Sequence, residues 1–139
     1  MPSTKMKKIL IFLAVLVFLP QSPLVAGDEN VTLRQEHNGQ TLTLKVGETV
    51  RLELPGSGGT GFSWYLEHFD SGYLDLVSQE TENALPGNLV GAAVVHIWRF
   101  RAQKVGQTNI KLAYYRQWEG SKTATKHFLL NISIVGADN

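Results

Sequence analysis

Val50-Arg51-Leu52-Glu53-Leu54 alternates apolar and charged residues with period two, and the same alternation returns in short segments along most of the chain. Successive side chains of an extended strand point to opposite faces, so this period buries one face and wets the other. Leu42, Leu44 and Val46 share a face in segment 41–46, and Ile110, Leu112 and Tyr114 in segment 108–115. Val94, His96, Trp98 and Phe100 do so in 93–102, and Phe128, Leu130, Ile132 and Ile134 in 126–135. Segments 31–33, 49–54, 62–66 and 73–79 complete the set, and none of the eight has a convincing helical period. Short strands in this number, separated by turn residues, predict an all-β fold: an immunoglobulin-like β-sandwich of about eight strands. Trp64, Trp98 and Phe100 are expected in its core.

The first residues read differently. Lys5, Lys7 and Lys8 precede an uncharged apolar run of 11 residues, 9–19, and Pro20 breaks it. The run is shorter than the roughly 20 residues a membrane-spanning helix needs. Small residues follow up to Ala26, so residues 1–26 are expected to be a signal peptide cleaved after Ala26 or Gly27. A single domain, 27–139, is then exported to the periplasm or secreted. The chain has no cysteine. That excludes a thiol nucleophile, a thiolate metal site and a cysteine-linked lipid anchor, and it leaves the core to hold the fold without disulfides. Loss of three lysines and no acids with residues 1–26 takes the formal net charge from +1 to −2. Such a balance argues against nucleic acid or an anionic membrane as partner. A monomer without a cofactor is expected.

One stretch invites a nucleotide reading. Gly56, Gly58 and Gly61 spell G-x-G-x-x-G, but that fingerprint needs a helix after the glycines to receive a pyrophosphate. Phe62-Ser63-Trp64-Tyr65-Leu66 reads as a strand, and no Lys-Ser or Lys-Thr pair follows for a P-loop. The glycines therefore shape a loop for something else. Gly58-Gly59 fits either a tight turn with positive φ or a close backbone approach to a partner.

In a sandwich, alternate connections emerge at one end, which groups 55–61, 81–92 and 116–125. Trp118 stands among Arg116, Gln117, Glu119, Gly120, Ser121 and Lys122. It is either an exposed anchor, as Trp and Arg are in protein interfaces, or it folds back on the core. Catalytic signals are weak. His37 and His68 fall in expected loops and His96 and His127 in expected strands, without metal-ligand spacing. Ser57 and Ser63 lack a nucleophile elbow. Asp70 and Asp75 are a weak hint of calcium. Asn30-Val31-Thr32 and Asn131-Ile132-Ser133 match glycosylation sequons, the second in mid-strand. The chain reads as a binding protein rather than an enzyme.

The three loops together resemble those of the chagasin family of cysteine-peptidase inhibitors. Ser57, Gly58, Gly59, Thr60 and Gly61 stand where that family has Asn-Pro-Thr-Thr-Gly, with Phe62 and Trp64 as the following aromatic-x-Trp. Arg116-Gln117-Trp118 stands in register with the family's Arg-Pro-Trp, and Gly120 follows soon after. Leu89-Val90-Gly91-Ala92 retains one glycine of its Gly-x-Gly-Gly. The resemblance implies reversible, noncovalent occlusion of the active-site cleft of papain-like cysteine peptidases by three loops. The first would cover the catalytic cysteine, with Thr60 supplying a hydroxyl, Trp118 packing on the rim of the cleft and Arg116 setting register. Replacement of Asn-Pro-Thr by Ser57-Gly58-Gly59 and of Pro by Gln117 implies a larger ordering cost on binding, or a different target. The alternative is a periplasmic or cell-surface adhesion module that binds protein or glycan through the same loops, with Trp118 stacking on a sugar ring.

Overall fold

The computed structural model describes residues 31–84 and 93–137; the expected signal peptide and Leu89, Val90, Gly91 and Ala92 lie outside them. Eight strands form two four-stranded sheets. One sheet is ordered β1 (Val31–Leu33), β3 (Thr49–Ser57), β6 (Ala93–Ala102), β5 (Leu74–Asn83). The other is ordered β2 (Thr41–Lys45), β8 (Lys126–Val135), β7 (Gly106–Arg116), β4 (Phe62–His68). The result is the immunoglobulin-like sandwich that the alternation predicts.

Both inner faces are built by the period-two residues. Leu52 pairs with Trp98 and Val50 with Phe100 across β3 and β6. Leu112 pairs with Phe128 and Ile110 with Leu130 across β7 and β8. All eight of these side chains are buried, and Trp64 joins them from β4. Complete burial of one such aliphatic side chain contributes about 1.5–3 kcal/mol, and with no disulfide this apolar layer holds the sheets together.

The chain crosses from the first sheet to the second at its start. A single 3-10 turn, Gln35–His37, separates β1 from β2, so β1 runs parallel to β3 and β2 parallel to β8. Asn38 secures the crossing: its amide donates to the His127 carbonyl (3.1 Å) and accepts from the Leu129 N–H (2.8 Å).

Several boundaries differ from those expected. β3 continues past Leu54 through Pro55 and Gly56 to Ser57, which pair with Val95, Val94 and Ala93. Proline is tolerated because β1 pairs only with Val50–Leu52, so this part of β3 lies on an edge where no N–H is needed. β5 runs to Asn83, with Thr81 opposite His96, so 81–83 are strand rather than loop. Tyr73 lies in the turn before β5, and Gly106 and Gln107 already belong to β7. His68 ends β4, and His37 lies in the 3-10 turn rather than a loop. Asp70 closes its own turn by accepting from the Gly72 N–H (2.8 Å), while Asp75 is in β5.

Candidate functional site

Three connections leave the sandwich at the same end: 58–61 between β3 and β4, 84–92 between β5 and β6, and 117–125 between β7 and β8. The first is shorter than expected because Ser57 belongs to β3. Gly59 (φ 81°) and Gly61 (φ 77°) take the left-handed region, which disfavours any residue with a Cβ by about 1–2 kcal/mol. Thr60 bridges the loop from inside. Its hydroxyl donates to the Ser57 carbonyl and accepts from the Phe62 N–H, both at 3.3 Å. The hydroxyl that the resemblance offers to a partner thus also stiffens the loop.

The loop's root is tied to the core by a contact the sequence did not announce. Trp64 is 2% exposed, and its Nε1 donates to the Pro55 carbonyl at 2.9 Å. The indole therefore joins β4 in one sheet to β3 in the other, immediately before the loop begins.

The third connection is a pair of 3-10 turns, Gln117–Glu119 and Ser121–Thr123, hinged at Gly120 (φ 83°). Its base is closed by the Thr125 N–H donating to the Tyr114 carbonyl (2.9 Å). Trp118 resolves its two readings in favour of exposure: it is 73% accessible, the highest of the large hydrophobic side chains described. The ring is nonetheless seated. Its Cη2 edge lies over Gly61, where a Cβ would overlap the indole.

Arg116 joins the two loops. It is the last residue of β7, opposite Phe62 on β4. Its Nε donates to the Thr60 carbonyl at 3.0 Å, across 56 residues of sequence. Its guanidinium stacks 4.4 Å from the Phe62 ring centroid and 6.0 Å from that of Trp118, and Nη1 reaches Glu119 Oε1 at 3.4 Å. A cation over an aromatic face contributes about 0.5–1 kcal/mol at an exposed site. Behind it, Phe62 stacks on Tyr114 (5.3 Å), and Tyr114 packs at a tilt against Trp64 (5.1 Å). A continuous ladder of rings thus runs from the core, through one guanidinium, to the exposed indole.

Of the expected site residues, Gly58, Gly59, Thr60, Gly61, Arg116 and Trp118 are brought together, with Ser57 at the strand end beneath them and exposed Gln117 beside Trp118. Leu89, Val90, Gly91 and Ala92 lie outside the described residues, but their strands are placed: Asn83 pairs with Val94, and Val94 also pairs with Gly56. The middle connection therefore leaves and re-enters the sheet next to the root of the first.

Comparisons with known proteins fit this geometry. The sequence model of the chagasin family of peptidase inhibitors matches residues 43–132. Chagasin of Trypanosoma cruzi is 33% identical over 95 residues, covering 66% of this chain and 86% of that protein. The structure of a cysteine protease inhibitor of Entamoeba histolytica superposes with a TM-score of 0.68 at 23% identity, covering 76% of this chain and 95% of its own. Another inhibitor, PbICP-C, solved in complex with falcipain-2, superposes with a TM-score of 0.56 at 19% identity, covering 78% and 91%.

Proposed function

This chain belongs to the chagasin family of peptidase inhibitors, and on that premise we propose that it inhibits papain-like cysteine peptidases by filling their active-site cleft with the loop end of the sandwich. The observation that carries this reading is the junction between the first and third loops. Arg116 grips the Thr60 carbonyl and Trp118 rests on Gly61, so the two loops present one wedge before any partner arrives. A surface already in its bound shape loses less conformational entropy on association. This offsets the loosening that Gly58-Gly59 introduces where the family has Pro-Thr.

The division of labour follows from the contacts. Gly58 and Gly59 bring bare backbone to the tip, which suits entry into a narrow cleft over the catalytic cysteine. Trp118 offers a large rigid apolar surface to the rim of the cleft. Arg116 acts as a positioning residue, because its guanidinium is occupied by Thr60, Phe62 and Glu119. By the resemblance, the 89–92 segment supplies the remaining contact loop. No bond is made or broken. The family match gives the adhesion-module alternative no support.

Purified protein titrated against a panel of papain-like, serine and metallo-peptidases tests the reading. Stoichiometric, reversible inhibition of the first class alone is expected, with the inhibitor recovered uncut. No effect on any papain-like enzyme at about micromolar inhibitor would overturn it. We further propose that the chain works outside the cytoplasm, on the strength of Lys5, Lys7, Lys8 and the apolar run behind them. N-terminal sequencing of exported protein should then begin at about residue 27, and an intact membrane-retained species would refute this.

A further inference from the structure

His96 does not belong with the other histidines. It lies on the inner face of β6, paired with Leu54 of β3 on one side and Thr81 of β5 on the other. Nδ1 meets the Thr81 hydroxyl at 3.1 Å, and the ring stacks on that of Trp98, centroids 6.1 Å apart. Nε2 is buried with no hydrogen-bond partner among the described residues. It presses against Gly56, where an added Cβ would come within 2.7 Å of it. The imidazole is thus wedged between the root of the first loop and the β5–β6 hairpin from which the middle connection springs.

We propose that His96 is a positioning residue for the inhibitory loops, holding the end of β3 in place only while its ring is neutral, so that inhibition weakens in acid. The proposal rests on the inhibitor reading above. In the neutral ring with Nε2 unprotonated, Nδ1–H donates to Thr81 Oγ1, and Nε2 can lie bare against Gly56. A proton added at Nε2 puts a donor and a charge against the Gly56 backbone, on a buried atom that has no hydrogen-bond partner among the described residues. Solvating that charge requires β3 to move away at Gly56-Ser57, and the first loop begins at the next residue.

Among the described residues, no neighbouring group offsets the charge. The residues sharing His96's face are Leu54 and Gly56 on β3, Gln79, Thr81 and Asn83 on β5, and Val94 and Trp98 on β6, none of them titratable. Glu53, Glu80 and Glu82 alternate onto the other face, where Glu53 pairs with Arg34 and Arg51, and Glu80 with Arg99. Residues 85–92 contain no titratable side chain. From the opposite sheet, β4 and β7 present Phe62, Trp64, Tyr114 and Arg116 at this end, and Arg116 is already engaged by Thr60 and Glu119. Desolvation accordingly holds the His96 pKa below its ordinary 6.5. The sign follows: the unfolded chain takes up the proton first, so stability is complete above about 6.5 and falls as the pH drops from there towards the lower folded value.

Inhibition constants of wild type and His96→Gln against one papain-like peptidase, measured from about pH 7.5 to about pH 5, test this. The peptidase's own titration cancels in the ratio of the two. The wild type should weaken by about threefold or more relative to the variant as the pH falls. Parallel profiles would overturn the proposal while leaving the inhibitor reading intact; no inhibition at about pH 7.5 would overturn both. If His96→Gln fails to fold, the ring titration of His96 is followed by NMR in free and peptidase-bound wild type. Reciprocity requires its midpoint to be lower in the complex, and equal midpoints would overturn the proposal.

Discussion

At the end of the sandwich that carries the connections 46–48, 69–73 and 103–105, neighbouring connections are tied to one another by backbone groups; at the loop end, the described ties between connections are made by side chains. Gly47 N–H donates to the Ala102 carbonyl (2.8 Å), Ala102 N–H to Glu48 (2.9 Å) and Gln103 N–H to Tyr73 (2.9 Å). Opposite them, closure depends on Trp64 reaching Pro55, Thr60 bridging its own loop, Arg116 reaching Thr60 and His96 filling the space beside Gly56. Backbone bonds form with almost any residue that can adopt the required φ and ψ. Side-chain bonds are lost with the side chain. The loop end can therefore be reshaped by substitution while the far end keeps the fold, which is the separation a binding protein needs.

The largest effect expected is at the point where core and loop end meet. Trp64→Ala should destabilise the domain by about 3–5 kcal/mol, because a buried indole and its bond to Pro55 vanish together. Thermal unfolding followed by circular dichroism would show a greatly lowered Tm or no folded baseline. A melt like that of the wild type would break the claim that the first loop hangs from the core.

Trp118→Ala should do the opposite. With the side chain 73% exposed, the melt should be unchanged, while the inhibition constant rises about thirtyfold, equivalent to about 2 kcal/mol of binding. An early melt with unchanged inhibition would make Trp118 a structural residue and move the wedge to Gly58–Thr60.

The finest comparison uses one glycine from each end. Gly47 (φ 93°) and Gly61 (φ 77°) both occupy the left-handed region, so alanine at either should cost about 1–2 kcal/mol of stability. Around Gly47 there is nothing within 4 Å of a new methyl, whereas at Gly61 it meets the Trp118 ring. Only Gly61→Ala should then weaken inhibition, by about tenfold. Equal effects on inhibition would mean that the two ends are not functionally distinct.

Much of this was open to reading in the chain itself. Period-two alternation is a local consequence of extended backbone, so Leu52, Trp98, Ile110 and Phe128 reveal their burial without knowledge of their neighbours. The loop motifs around Thr60 and Trp118 are likewise contiguous, and they pointed to the family. Strand ends were harder. Pro55 reads as a break, and only the short reach of β1 leaves β3 an edge on which proline continues to Ser57.

Partners of long side chains lay beyond local reading altogether. Arg116 and Thr60 are 56 residues apart, and they meet because β4 and β7 pair at Phe62 and Arg116. The resemblance made Arg116 the residue that sets register on the peptidase; packing also uses it to brace the first loop. His96 looked ordinary because its alternation places it on the core face without saying what faces it. Gly56 lies against it only once β3 and β6 are in register. Local backbone sterics decide which residues turn inward, and this the sequence determined. Which side chains then touch depends on strand register and on how two sheets stack, and that was decided only by the tertiary structure.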